Sequence, residues 1–77
     1  MQQTEVLEVV TDFWKEVLQV DVGPDSDFFE AGGHSLALLA LVNRLQEHFG
    51  VEMSVVDVFD YPTLGEFAGA VHERMSA

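Results

Sequence analysis

Cysteine is absent from the 77 residues, and only three residues are basic. The first absence excludes disulfides, thiolate metal sites and a cysteine nucleophile, so any thiol chemistry needs a borrowed thiol. The second leaves fourteen acidic residues nearly unopposed, at a formal charge of −11. That charge repels nucleic-acid phosphates and anionic lipid headgroups alike, so partners are expected to be basic or apolar. No apolar run approaches the roughly 18–20 residues of a membrane span, and the N-terminal "MQQTEVLEVV" lacks the basic region of a signal peptide. The natural reading is a cytoplasmic protein without a membrane or nucleic-acid partner. Prolines number only two while 48% of residues are apolar, which argues against a disordered chain. A chain of this length forms one domain, residues 1–77, whose core alone gives about 3–5 kcal/mol of net stability.

What is present reads as helix. Val6, Leu7, Val10, Phe13, Trp14, Val17 and Leu18 follow the i, i+3, i+4, i+7 spacing of an amphipathic helix over Glu5 to Leu18, with Thr4 as its cap. Glu5, Glu8, Asp12 and Glu16 fall on its solvated face. Residues 19–34, "QVDVGPDSDFFEAGGH", form a long structured loop pinned to the core by Phe28 and Phe29. Its acids fail as a calcium loop, because the twelfth position counted from Asp21 is Gly32 and from Asp25 is Leu36, where a glutamate is required. A second helix runs from about Ser35 to Phe49 with Gly50 as its stop, burying Leu38, Leu41, Val42, Leu45 and Phe49. Ser54 and Asp57 open a short piece, Val55 to about Phe59, and Thr63 with Glu66 opens a last helix carrying Leu64, Phe67, Ala68, Val71 and Met75 on one face. Strand alternation bounded by hairpin turns does not occur, so the predicted fold is all-α: a small four-helix bundle of three main helices and one short one.

One serine stands out. Ser35 lies between the pair Gly32–Gly33 and seven consecutive apolar residues, Leu36 to Val42. A bland role exists, since a serine hydroxyl at a helix start caps free amides for ~1 kcal/mol. The diglycine that clears space in front of Ser35, and the outward-facing apolar residues just after it, favour another. A phosphate ester on Ser35 sits against the amides and positive dipole end of the second helix. Leu36 and Leu39 then form an apolar surface beside it that a small chain covers most easily with another protein. The segment "GHSLA" also approaches the G-x-S-x-G nucleophile elbow of hydrolases, with Ala37 in place of glycine. No strand, acid partner or oxyanion hole accompanies it, so catalysis is not expected and no catalytic residue is assigned. His34 reads as a solvent-facing turn residue, and His48 and His72 lack metal-ligand spacing, so no metal site is expected.

The segment "DSDFFEAGGHSLALLALVNRLQEHFGVEMSVVDVFDYPTLGEFA" closely resembles the peptidyl carrier, or thiolation, domains of nonribosomal peptide synthetases, within the acyl-carrier superfamily. The similarity runs from about Trp14 to Met75, and "FFEAGGHSL" is its most specific part. The resemblance implies that Ser35, flanked by Gly33, His34 and Leu36, accepts 4′-phosphopantetheine from coenzyme A through a separate phosphopantetheinyl transferase. It implies that an adenylating enzyme loads an acyl group onto the arm and that condensing, tailoring or releasing enzymes receive it in antibiotic-type natural-product biosynthesis. By position in the family pattern, Leu36, Leu39, Ala40, Val56 and Tyr61 are the docking residues that these transient partners read, on a monomer, while Val55, Val58 and Phe59 belong to the core.

Two alternatives stay open. One is an acyl carrier of a polyketide or aryl-acid pathway, disfavoured because His34 precedes the serine and the second helix is apolar with Asn43 and Arg44 exposed. The other is an unmodified helical interaction module in which Ser35 is only a cap. The charge of −11 suits freestanding carriers, and a discrete peptidyl carrier meeting its enzymes in trans reconciles it with the motif. A native reading frame continuing on either side overturns that expectation.

Overall fold

A computed structural model describes residues 3–76 of the chain. Four helices follow one another: α1 (Gln3–Leu18), α2 (Ser35–Phe49), α3 (Val55–Asp60) and α4 (Leu64–Ser76). α1 packs on α4 and α2, and α3 packs on α2. The predicted stripes meet in one cluster, with Val6, Val10 and Trp14 of α1 against Leu38, Leu41 and Leu45 of α2 and Leu64, Phe67, Ala68 and Val71 of α4. Trp14, fully buried, meets the Phe28 ring nearly edge-on at 5.1 Å between centroids. Its indole N–H has no acceptor among the described residues, so ring packing alone retains it there.

Helix boundaries differ from expectation at α1. The helix already includes Gln3, which places Thr4 within it and not at a cap. Its end is set by Gln19, whose φ of 59° is left-handed and whose N–H donates to the Lys15 carbonyl at 2.7 Å. α2 ends as its sequence predicts, at Gly50 with φ 69° and an N–H bond to the Gln46 carbonyl.

The long loop is stitched to the head of α4. The N–H groups of Leu64 and Gly65 donate to the carbonyls of Ser26 and Pro24 at 3.0 and 2.9 Å, and the N–H of Phe28 donates to Pro62 O at 2.8 Å. These bonds create an isolated bridge between Asp27 and Thr63. They also satisfy amides that a helix start leaves open, so the Thr63–Glu66 pair is not needed as a box; it is joined side chain to side chain at 2.6 Å. The Asp27 carboxylate turns the chain by accepting from the N–H groups of Phe29 and Glu30, and Phe28 is thereby driven fully into the core.

α3 corrects one assignment. Val58 is fully buried and Val55 packs partly against the core, but Phe59 is 60% exposed. A six-residue helix has one inward side, which Val58 and Asp57 occupy, so Phe59 turns outward and stacks on Phe29 at 5.0 Å and 18°.

Candidate functional site

The segment before α2 is built on two glycines that serve different ends. Gly32 has φ 101°, a conformation that side chains rarely tolerate. Gly33 is needed for space, since a Cβ there would lie 2.2 Å and 2.3 Å from two carbons of the Phe28 ring and 2.6 Å from its carbonyl oxygen. The backbone N–H of Gly33 donates to that same carbonyl at 2.9 Å. The core residue Phe28 therefore fixes where the chain turns towards Ser35.

His34 is the N-cap of α2, with extended backbone and no side-chain capping bond. Its carbonyl accepts from the Leu38 N–H at 2.9 Å, so Ser35 is the first residue inside the helix. The bland role does not apply: Ser35 is exposed, and its hydroxyl caps nothing among the described residues. The first turn of α2 holds no acid that would compete for its amides. A free hydroxyl at the positive end of a fifteen-residue helix is the kind of position that receives an anionic group.

Gly33, His34, Ser35 and Leu36 are contiguous at this turn, and the residues assigned to docking lie on α2 and on or next to α3. Leu36 is 73% and Leu39 54% exposed on α2, while Val56 is 58% and Tyr61 38% exposed on α3 and its C-terminal cap. Ala40 is only partly exposed. Phe59 joins the patch unforeseen; the one sign in the sequence was that six residues cannot bury three apolar side chains and an aspartate together.

Also unforeseen is the ion pair between α3 and α4. Arg74 Nη2 donates to Asp57 Oδ1 at 2.6 Å and its Nη1 to Oδ2 at 3.0 Å. Burial raises the Asp57 carboxyl, but the Ser54 N–H and then the Arg74 guanidinium outweigh it and hold the group below its ordinary range. A second pair joins Arg44 to Glu16 on the surface. Two of the three basic residues are thus engaged within the chain. An open groove of about 650 Å³ beside α4, lined by Gly50, Val51, Glu52, Tyr61, Ala70, Glu73 and Arg74, does not include the serine. His48 stands edge-on to Phe13 and Phe49, and no acid, histidine or cysteine group among the described residues could hold a metal. No described helix is long and apolar enough to cross a membrane.

Four helices present an exposed serine at a helix head, with Leu36 and Leu39 exposed on the same helix, the architecture of a carrier. The family model for the phosphopantetheine attachment site matches residues 8–71, and the chain belongs to that family, as a peptidyl carrier domain of the nonribosomal peptide synthetase type. The group it carries is 4′-phosphopantetheine. The nonribosomal peptide synthetase kk1B of Curvularia clavata is 39% identical over 72 residues, which cover 94% of this chain and 1% of that protein. Among solved structures, the complex of the phosphopantetheine transferase Sfp with coenzyme A and a peptidyl carrier protein aligns with TM-score 0.84 and 30% identity, covering 90% of this chain and 91% of that one. BlmI, a type-II acyl carrier protein of Streptomyces verticillus involved in bleomycin biosynthesis, aligns with TM-score 0.86 and 28% identity, covering 92% and 87%. The chain spans only about 1% of the length of the synthetases first matched.

Proposed function

We propose that Ser35 carries the 4′-phosphopantetheine arm and that residues 1–77 act as one carrier domain, shuttling an aminoacyl or peptidyl intermediate among enzymes in the cytoplasm. The observation that carries this reading is the exposed, uncapped Ser35 hydroxyl at the head of α2, held there by the Phe28–Gly33 contact. The residues present fit the group: the α2 amides without a side-chain cap face a phosphodiester on Ser35, and Gly33 and His34 leave it open to solvent. When bound, the arm supplies the thiol that this cysteine-free chain lacks and holds the acyl group as a thioester.

Ser35 itself supplies the hydroxyl that attacks the β-phosphate of coenzyme A, losing its proton to the transferase while adenosine 3′,5′-bisphosphate leaves. Leu36, Leu39 and Ala40 of α2, with Val56 and Tyr61 around α3, present the patch that a phosphopantetheinyl transferase, an adenylating enzyme and condensing, tailoring or releasing enzymes meet in turn. A patch of a few side chains suits partners that must let go, and tethering supplies effective concentration without tight binding. Ser35→Ala is expected to keep the helical fold and to lose all attachment. An amino acid adenylated in trans and recovered as a thioester on the wild-type chain supports the peptidyl cargo; loading with a malonyl or aryl group alone argues against it.

A further inference from the structure

We propose that Arg74 and Asp57 are positioning residues for delivery, in that one guanidinium holds α3 at the angle that presents Val56, Phe59 and Tyr61 to partners. The inference rests on the docking role given above to that face.

Six residues cannot hold a helix in water by themselves. α3 buries only Val58 and Asp57 fully, and its backbone packs on α2. Besides Val55, which packs partly against the core, two further ties hold it. On one side Phe59 lies on Phe29, an exposed stack between the α3 surface and the loop that leads to the serine. On the other, Asp57 is 6% exposed and its two oxygens take both forks of Arg74. Arg74 Nη1 also donates to the Glu52 carbonyl at 2.7 Å, so the same group grips the segment ahead of α3 and its first turn. Asp57 Oδ2 in turn accepts from the Ser54 N–H at 2.8 Å and lies 3.3 Å from the Ser54 hydroxyl, which anchors the helix start to the same point.

Removing the guanidinium leaves a buried carboxylate with Ser54 as its donor and frees the Glu52 carbonyl. Such a carboxylate gains by reaching water, and the route to water is for α3 to swing from α4. Ser35 is placed by Phe28 and Gly33, away from this clasp, so its own chemistry is unaffected. The shape read by partners changes while the reacting hydroxyl does not.

The test uses the full chain with Arg74→Met and Arg74→Lys, comparing native-state amide exchange by NMR with kinetics of modification by a phosphopantetheinyl transferase and coenzyme A. In Arg74→Met the amides of Asp57 and Tyr61 are expected to exchange about tenfold faster or more, while buried amides of α1 and α2 change less than about threefold. KM for the carrier rises several-fold with kcat kept. Lysine keeps the charge without the planar fork, so Arg74→Lys follows the methionine variant in both readouts. Unchanged α3 exchange, equal acceleration in every helix, or a normal KM for Arg74→Lys with α3 loosened overturns the proposal. A wild-type chain that accepts no phosphopantetheine refutes the reading of Ser35, and the exchange comparison still judges the clasp separately.

Discussion

Replacing Gly33 by alanine tests whether the serine turn is fixed by the core. The new methyl would meet the Phe28 ring at 2.2 and 2.3 Å and its carbonyl oxygen at 2.6 Å, against a comfortable separation of ~3.5–4.0 Å between carbons. Overpacking of a tight site costs ~1–3 kcal/mol, and expelling a buried phenylalanine ring costs ~3–5 kcal/mol. The ring cannot turn aside freely, being fully buried against Trp14, and the carbonyl cannot retreat without losing the 2.9 Å bond from the Gly33 N–H. A loss of about 3 kcal/mol is therefore expected, from a total of about 5 kcal/mol for a domain of this size. Gly32→Ala is the control. Nothing stands within 4 Å of its added methyl, and only the strain of φ 101° applies, about 1–2 kcal/mol. Urea unfolding followed by the fluorescence of Trp14 measures both. A Gly33→Ala unfolding free energy within about 0.5 kcal/mol of wild type, or above that of Gly32→Ala, refutes the reasoning.

Leu39→Asp is expected to change stability by less than about 1 kcal/mol, because Leu39 is mostly exposed, and to accept the arm while passing its cargo on more slowly. Thermal melts and transfer rates to a condensing enzyme check it, and an unfolded variant would contradict the exposure of that face. Asp57→Asn is expected to be less stable than wild type at neutral pH. Because the folded carboxyl titrates below the ordinary 3.8, its contribution is full above the unfolded value and is lost as pH falls through the folded one. The gap between the two urea midpoints should thus close only in acid below about that value; a constant gap across the range argues that the charge on Asp57 is not what holds α3. Ser35→Ala should cost less than about 0.5 kcal/mol, half the loss of a true cap, by the same unfolding assay.

Where a single apolar period runs for several turns, pattern and structure agree. Val6, Val10 and Trp14, then Leu38, Leu41 and Leu45, then Leu64, Phe67 and Val71 all lie inside, and Gly50 and the Ser54–Asp57 pair stop and start helices where they should. Short or unpatterned features were not legible. In α3 the helix has less than two turns, so either side could face inward, and the burial of Val58 together with the Asp57–Arg74 pair goes with Phe59 lying outside. That pair spans seventeen residues and belongs to tertiary structure alone. Gln19 in a left-handed conformation carries no glycine to announce it, and Thr4 looked like a cap because Gln3 before it adds nothing to the apolar period. At the serine, the glycine pair and the apolar run were visible, but that Gly33 serves space and Gly32 dihedral freedom needed the position of the Phe28 ring.

The most direct measurement is the intact mass of the purified chain before and after incubation with coenzyme A and a promiscuous phosphopantetheinyl transferase, with Ser35→Ala alongside. A gain of one phosphopantetheinyl group by the wild type and none by the folded variant is the predicted result. A folded wild type that gains nothing, or a variant that gains as much, contradicts the assignment of Ser35 as the point where the arm is held.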